Sequence, residues 1–184
     1  MSQQATDRIK FLRRVRQVRD FRSEPVPEDA LADILEVGRW SGSANNRQTS
    51  EVVVVRDPEA RRALTAAGAN TAAKAAVALV IVTSGDPARE ELEIFDEGRM
   101  AERLLLAASA HGLGASITTL KGEGPTAVKN LLDIPPERRV KTVVAVGVAD
   151  DEAIRAKPRN PQPRKPIDEY AHWDHYESKS GLET

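Results

Sequence analysis

Asp96 to Gly114 reads DEGRMAERLLLAASAHGLG, and this stretch decides the fold. Met100, Leu104, Ala107, Ala108 and His111 recur at helical spacing, and Leu105 and Leu106 widen the apolar face. With Ile94 at its start, the pattern predicts one long helix over residues 94–111. A helix this apolar is the spine of a domain. Gly112 followed by Leu113 fits a Schellman stop, in which glycine takes the left-handed position after the last turn. Residues 115–120 then read as a short strand.

Working outward, Glu51 to Arg56 and Ala75 to Thr83 are β-branched or apolar runs that read as buried strands, and Val140 to Val148 is a third. Gly147 allows close backbone approach there. Residues 6–16 read as a helix capped by Thr6 or Asp7. A second helix begins near Glu28 and carries Leu31, Ile34, Leu35 and Gly38 as its buried stripe. Asp57 and Pro58 supply an N-cap and an N1 proline for a third, which Gly68 ends. Pro125 to Leu132 is a further helix. Pro158, Pro161, Pro163 and Pro166 make residues 155–167 extended. Ile167, Tyr170, Trp173 and Tyr176 carry enough apolar area that this tail should lie on a folded surface, its own or a neighbour's. The whole is one domain, residues 1–184, with a core over 1–154 and an extended arm over 155–184. Alternation of helices and strands, taken alone, predicts an α/β sandwich.

Composition narrows the function classes. The chain has 184 residues, enough for one self-sufficient core. It has no Cys, which excludes disulfides, thiolate nucleophiles and Cys-ligated metals and fits a reducing cytosol. No apolar run approaches the roughly 20 residues of a membrane span, and the first residues carry no secretory signal. We therefore expect a cytoplasmic protein with no membrane partner. A net charge of −1 argues against nucleic acid as a partner. The charge is uneven, with bases at both ends and acids from Asp86 to Glu97, so the two basic ends could meet around one anion.

Three stretches carry the candidate chemistry. Arg16-Gln17-Val18-Arg19-Asp20-Phe21 and Arg164-Lys165-Pro166 supply cationic donors, and Arg offers a fork suited to phosphate oxygens. Arg16 and Arg19, three apart, would share one side of a helical end. Ser43-Ala44-Asn45-Asn46-Arg47-Gln48 supplies small side chains and amides directly before a strand. Such a set suits a ligand with a phosphate at one end and a flat hydrogen-bonding ring at the other. His172 and His175 with Asp174 lack a third clear ligand, so no metal is expected. His111 is explained by its place at a helix C-terminus. Gly122-Glu123-Gly124 and Gly112-Leu113-Gly114 are not phosphate-binding fingerprints.

In order along the chain, these stretches resemble the nitroreductase-like FMN-dependent oxidoreductases. That family carries a basic R-S-x-R-x-F stretch, then P-V-P, an amphipathic helix and a P-S-x-x-N-x-Q-P-W loop. Here stand Arg16 to Phe21, Pro25-Val26-Pro27, and Gly42 to Ser50. Further on come Asp96-Glu97-Gly98, Leu104 to Ala108, Gly112-Leu113-Gly114, Leu132-Asp133-Ile134-Pro135, the strand ending at Gly147, and Arg164-Lys165-Pro166 with His172-Trp173.

The resemblance implies an α+β three-layer sandwich with a mostly antiparallel central sheet flanked by helices. It also implies an intertwined homodimer whose C-terminal tails exchange. FMN is the implied cofactor, with no obligatory catalytic side chain, since the chemistry takes place at the flavin N5. Carried over by position, Arg16, Gln17, Arg19 and Arg164 hold the phosphate and ribityl chain. Ser43, Ala44 and Asn46 approach the flavin from the partner, and backbone at Thr118, Thr119 and Leu120 lies near N5 and O4. Asn70 or Lys74 meets the pyrimidine edge. The implied reaction is ping-pong reduction of a nitroaromatic, quinone or enone by NADH or NADPH. The alternative is a flavin-binding or dimerisation protein without turnover. Departures from the family pattern are Val15 for a basic residue, Gln17 for Ser, Thr49-Ser50 for Pro-Trp, and a short Ser84 to Ile94 stretch.

Overall fold

A computed structural model describes residues 2–157 and 163–178 of the chain, which divides into two units, Met1–Ile154 and Arg155–Thr184. In the first unit the helices are α1 (Gln3–Arg14), α2 (Glu28–Arg39), α3 (Pro58–Ala66), α4 (Glu90–Ala110) and α5 (Gly124–Leu131), with α6 (Asp151–Ala156) at its end. The strands are β1 (Glu51–Val55), β2 (Val77–Thr83), β3 (Gly114–Thr119) and β4 (Arg139–Gly147). They form one sheet in the order β1-β2-β4-β3, and every neighbouring pair is antiparallel. The α/β reading from alternation alone is thereby corrected, and the mostly antiparallel sheet implied by the family resemblance is found. Helices α3 and α5 connect neighbouring strands, whereas α4 carries the chain from β2 past β4 to β3.

Period-2 alternation sorts β2 into two faces. Val77, Leu79 and Ile81 pack with Leu31 and Ile34 of α2 and Met100, Leu104 and Ala108 of α4. Ala78, Val80 and Val82 pack with Leu64 of α3 and Val128 of α5. The result is three layers, two helices on each side of the sheet. Between Val80 and Val82 the register to β4 slips by one residue, a bulge that lets Val140 and Val143 share the α5 face. β1 lies at the edge of the sheet and is only half-buried, so it is less enclosed than its valine run predicts.

The spine helix is α4, 21 residues long, and it begins a turn earlier than the apolar pattern shows because its first turn is acidic. It ends as the sequence predicts. The Leu113 N–H donates to the Ala108 carbonyl at 2.9 Å, the Gly112 N–H to the Ser109 carbonyl at 3.1 Å, and Gly112 has φ 72°. Leu104 lies against Gly38 of α2, where a Cβ would stand 2.8 Å from its Cδ2. Asp57 caps α3 through the Ala60 N–H, as expected.

Two helix readings change. Helix α1 starts at Gln3 under a Ser2 cap and stops at Arg14, so residues 15–20 are not helical. Residues Asp151–Ala156 form α6 inside the stretch expected to be extended, since Pro158 restricts the chain only from the residue before it. Residues 158–162, including Pro158 and Pro161, lie outside the described residues. In the second unit, Pro163 to Pro166 are extended and exposed, and Ile167–Tyr170 forms the short α7. Among the described residues no helix is long and apolar enough to cross a membrane.

Candidate functional site

The Arg16–Asp20 strip runs along the free edge of β3. The Val18 N–H donates to the Ala115 carbonyl at 2.7 Å, and the Ile117 N–H donates to the Gln17 side-chain oxygen at 3.1 Å. Further along, Phe21 bridges to Ala149, and the Arg22 N–H donates to the Val148 carbonyl. The close approach depends on a cross-strand glycine pair, Gly114 opposite Gly147. A Cβ on Gly114 would stand 2.7 Å from Val18 Cγ1, and one on Gly147 would stand 3.0 Å from Phe21 Cδ1. Glycine here makes room for the strip.

Extended backbone changes the expected geometry of the two arginines. Residues 15–20 lie beyond the end of α1, so the shared helical side expected of Arg16 and Arg19 does not arise. The Arg16 guanidinium folds back onto the Arg13 and Val15 carbonyls at 2.7 Å each, at the C-terminal end of α1. That of Arg19 donates to the Gln17 side chain at 3.3 Å. Both are exposed, and among the described residues neither pairs with a carboxylate.

A turn at residues 69–76 closes on the same end of the sheet. Thr71 and Ser116 share a buried hydroxyl–hydroxyl bond of 2.7 Å, and Lys74 Nζ lies 3.4 Å from Asp20 Oδ1. Asn70 is exposed on this turn. Of the three expected backbone positions, Thr119 is the one turned outward. The odd residues Ala115 and Ile117 bond to the strip, so by alternation the even residues bond to β4. Leu120 departs from expectation: it is wholly buried and its N–H is spent on the Lys141 carbonyl. Thr118 is half-buried and lies between them.

The amide loop sits elsewhere. Its backbone enters a 3-10 turn at Ala44–Asn46, and Asn45, Asn46 and Gln48 all have φ near 53–54°. The Ala44 N–H donates to Asp96 Oδ2 at 2.8 Å, and the Gln48 N–H donates to Ser43 Oγ at 2.9 Å. Asp96 is in the first half of α4, whereas Ser109 lines a groove with Arg16 and Val18 at the far end. Those two positions are thirteen residues apart, about 20 Å along the helix. One chain therefore sets Arg16, Gln17 and Arg19 along the β3 edge, with Asn70 on the turn beside Ser116 and Thr118 and Thr119 at the last residues of β3, and leaves Ser43, Ala44 and Asn46 against the first half of α4. Arg164 belongs to the second unit and is exposed.

The acidic run from Asp86 to Glu97 turns partly inward. Glu93, Asp96 and Glu97 are all buried. Glu93 accepts from the Ser84 hydroxyl and the Gly85 N–H, Asp96 from the amide loop, and Glu97 from Arg139. The spacing 93, 97, 100, 104 continues the apolar stripe toward the N-terminus, and that signal was present in the sequence. Burial acts to raise the Glu93 carboxyl, but its hydrogen bonds, led by Ser84, outweigh it and hold the pKa below the ordinary value. A depressed carboxylate stabilises the fold fully above the unfolded-state value, roughly 4.3, and that contribution is lost as pH falls through the folded value. Glu93→Gln is therefore expected to cost about 1–2 kcal/mol at pH 7, with the gap to wild type narrowing below about pH 4. Thermal melts of both proteins across that range check it.

His172 does not stand as a ligand. Its Nδ1 accepts the Glu177 N–H at 3.2 Å, and its ring lies 4.7 Å from that of Tyr176. Among the described residues no cluster of carboxylates and histidines could hold a metal ion. His111 Nε2 is 3.1 Å from Asp33, an ion-pair partner beyond the helix-end effect expected for it.

Comparison with known proteins agrees with this fold. The model of the Nitroreductase family matches residues 12–86, which span the arginine strip, α2, the amide loop, β1 and β2. A protein named NADH dehydrogenase from Thermus thermophilus is 29% identical, over 86% of this chain and 91% of its own. An FMN-dependent nitroreductase from Clostridium difficile superposes with a TM-score of 0.75 at 21% identity, covering 91% of this chain and 99% of the other. Nitroreductase A from Vibrio parahaemolyticus superposes at 0.75 with 25% identity, covering 94% and 78%. The matched N-terminal stretch, the antiparallel three-layer fold and the order of the motifs are together similar to those of the Nitroreductase family.

Proposed function

We propose that this protein is an FMN-dependent oxidoreductase that works as a homodimer. It takes a hydride from NADH or NADPH and passes it to a small electrophilic acceptor such as a nitroaromatic, a quinone or an enone. The observation that carries this reading is the strip at the β3 edge. Among the described residues its two exposed guanidiniums have no carboxylate partner, and its backbone is fixed by Val18, Gln17 and the Gly114–Gly147 pair. Cations held in place without a counter-charge suit a phosphate, and the neighbouring amide and hydroxyl groups suit a ribityl chain and a pyrimidine edge. The residues present therefore fit FMN.

In this reading Arg16, Gln17 and Arg19 hold the phosphate and ribityl chain, and Arg164 reaches it from the arm. Asn70 or Lys74 meets the pyrimidine edge, and the outward Thr119 N–H faces the ring. The chemistry FMN supplies when bound is hydride transfer at N5; the protein orients it and leaves one face open to donor and acceptor in turn. No side chain of this chain is required to move a proton.

The separation of about 20 Å along α4 between Asp96, which holds the amide loop, and Ser109, beside the strip, supports a dimer, since a second copy would supply its own Ser43, Ala44 and Asn46. Exposed apolar side chains suit such an interface. Trp40 and Phe95 are 69% and 65% exposed, and Leu92 and Ile94 flank Phe95. Apolar area of this kind marks an interface on a soluble protein. The chain forms one domain, with residues 155–184 as an arm that packs on the partner.

The test is the visible spectrum of purified protein supplied with FMN, recorded before and after anaerobic addition of each nicotinamide. A bound yellow flavin that bleaches is the expected result. Bound flavin that neither nicotinamide bleaches contradicts turnover and leaves a binding protein. Protein that takes up no flavin overturns the reading.

A further inference from the structure

Three side chains on one face of α4 hold the stretch that leads into the amide loop. Arg103 donates to the Trp40 carbonyl at 3.0 Å. The Arg99 guanidinium lies against Gly42, where a Cβ would stand 2.4 Å from its Nη2, and it also lies over the Phe95 ring at 5.6 Å. Asp96 accepts the Ala44 N–H at 2.8 Å. Two residues of extended chain advance about 6.6 Å, and three to four residues of helix advance about 5 Å. Contacts at 40, 42 and 44 thus fall in step with 103, 99 and 96, and the chain runs antiparallel to the helix. A side chain at Gly42 would displace the Arg99 guanidinium from this place.

The loop that follows is costly to form. Asn45, Asn46 and Gln48 occupy left-handed backbone, which costs about 1–2 kcal/mol for each non-glycine residue and is least unfavourable for Asn. Of the three α4 contacts, Asp96 is the one that reaches the loop itself. Its side chain is 8% exposed, and the ion pair it makes among the described residues is with Arg99, at 3.5 Å. A buried carboxylate with so distant a counter-ion draws its stabilisation from the amide it accepts, so the carboxylate and the loop hold each other in place.

We propose that Asp96 is a positioning residue for cofactor binding: through the Ala44 amide it fixes the backbone that presents Ala44 and Asn46 to the flavin of the partner subunit. The inference rests on the flavin reading above. Asp96→Ala removes the acceptor, whereas Asp96→Asn keeps an oxygen at the same place. Three readouts separate the outcomes: the FMN dissociation constant, the circular dichroism of bound flavin, and hydrogen exchange of the peptide spanning residues 40–50 in protein without flavin.

Asp96→Ala is expected to exchange faster over that peptide, to bind FMN about tenfold more weakly and to alter the flavin dichroism. Asp96→Asn is expected to recover FMN affinity to within about threefold of wild type. Faster exchange with unchanged FMN affinity and dichroism would show a purely structural contact and overturn the proposal. Wild-type protein that protects the Ala44 amide but binds no FMN overturns the flavin reading and removes the role proposed for Asp96 with it. Should Asp96→Ala not fold, Arg103→Ala carries the test, since it frees the start of the same stretch. About threefold weaker FMN binding then supports the proposal, and none contradicts it.

Discussion

Replacing both Arg16 and Arg19 by alanine is expected to weaken FMN binding by at least about a hundredfold. Each guanidinium that meets the phosphate makes a charge-assisted hydrogen bond worth about 1.5–3 kcal/mol. Losing two amounts to roughly 3–6 kcal/mol, and every 1.4 kcal/mol is tenfold in affinity. The fold should survive, because both side chains are exposed and the strip is anchored by Val18, Gln17 and Phe21 instead. Riboflavin, which lacks the phosphate, isolates the effect. Titration should show the double variant and wild type binding riboflavin with equal, weak affinity while they diverge on FMN. A loss on FMN under threefold, or an equal loss on both ligands, would place the phosphate away from this strip.

Arg139→Met is expected to destabilise the protein by about 3–5 kcal/mol. Arg139 sits at the start of β4, and its Nη1 donates to Glu97 Oε2. The Glu97 side chain is 3% exposed, and among the described residues its other oxygen has no hydrogen-bond partner. Glu90 reaches the same arginine at 3.9 Å but is largely in solvent. Removing the arginine leaves a buried carboxylate without compensation, which is the costly way to break such a pair. Arg139→Met with Glu97→Leu removes both charges and should recover most of the loss. Denaturant unfolding of wild type, single and double variants measures it. A single variant within 1 kcal/mol of wild type would mean that Glu97 is neutralised or hydrated by other means.

The fold was readable where one local signal dominates. The α4 stripe, the Gly112–Leu113 stop and the Asp57–Pro58 start each depend on a few neighbouring residues, and each stands in the structure as read. Strand direction was not readable from order alone, because alternating helices and strands serve parallel and antiparallel sheets equally. The family resemblance carried that step. The end of α1 was misplaced because helical spacing continues past Arg14, whereas the Val18 bond to β3 draws residues 15–20 into an extended path.

The candidate site was legible in part. Arg16, Gln17 and Arg19 were marked by residue type, but their placement depends on Gly114 and Gly147, two glycines far off in sequence and paired across strands. Leu120 belongs to the core because the bond from its N–H to Lys141 extends the β4 pairing past the end of β3. The burial of the α4 acids is not legible from their charge but is legible from their period. Glu93 and Glu97 in fact extend the stripe of Met100 and Leu104, and each finds a donor on a different segment.

Sedimentation velocity followed at 450 nm, with FMN present at about the chain concentration, puts the cationic strip and the second copy to the same trial. The flavin should sediment as one boundary with a species of twice the 20.1 kDa chain. Flavin that remains unsedimented, or that travels with a single chain, would contradict a cofactor held between two copies.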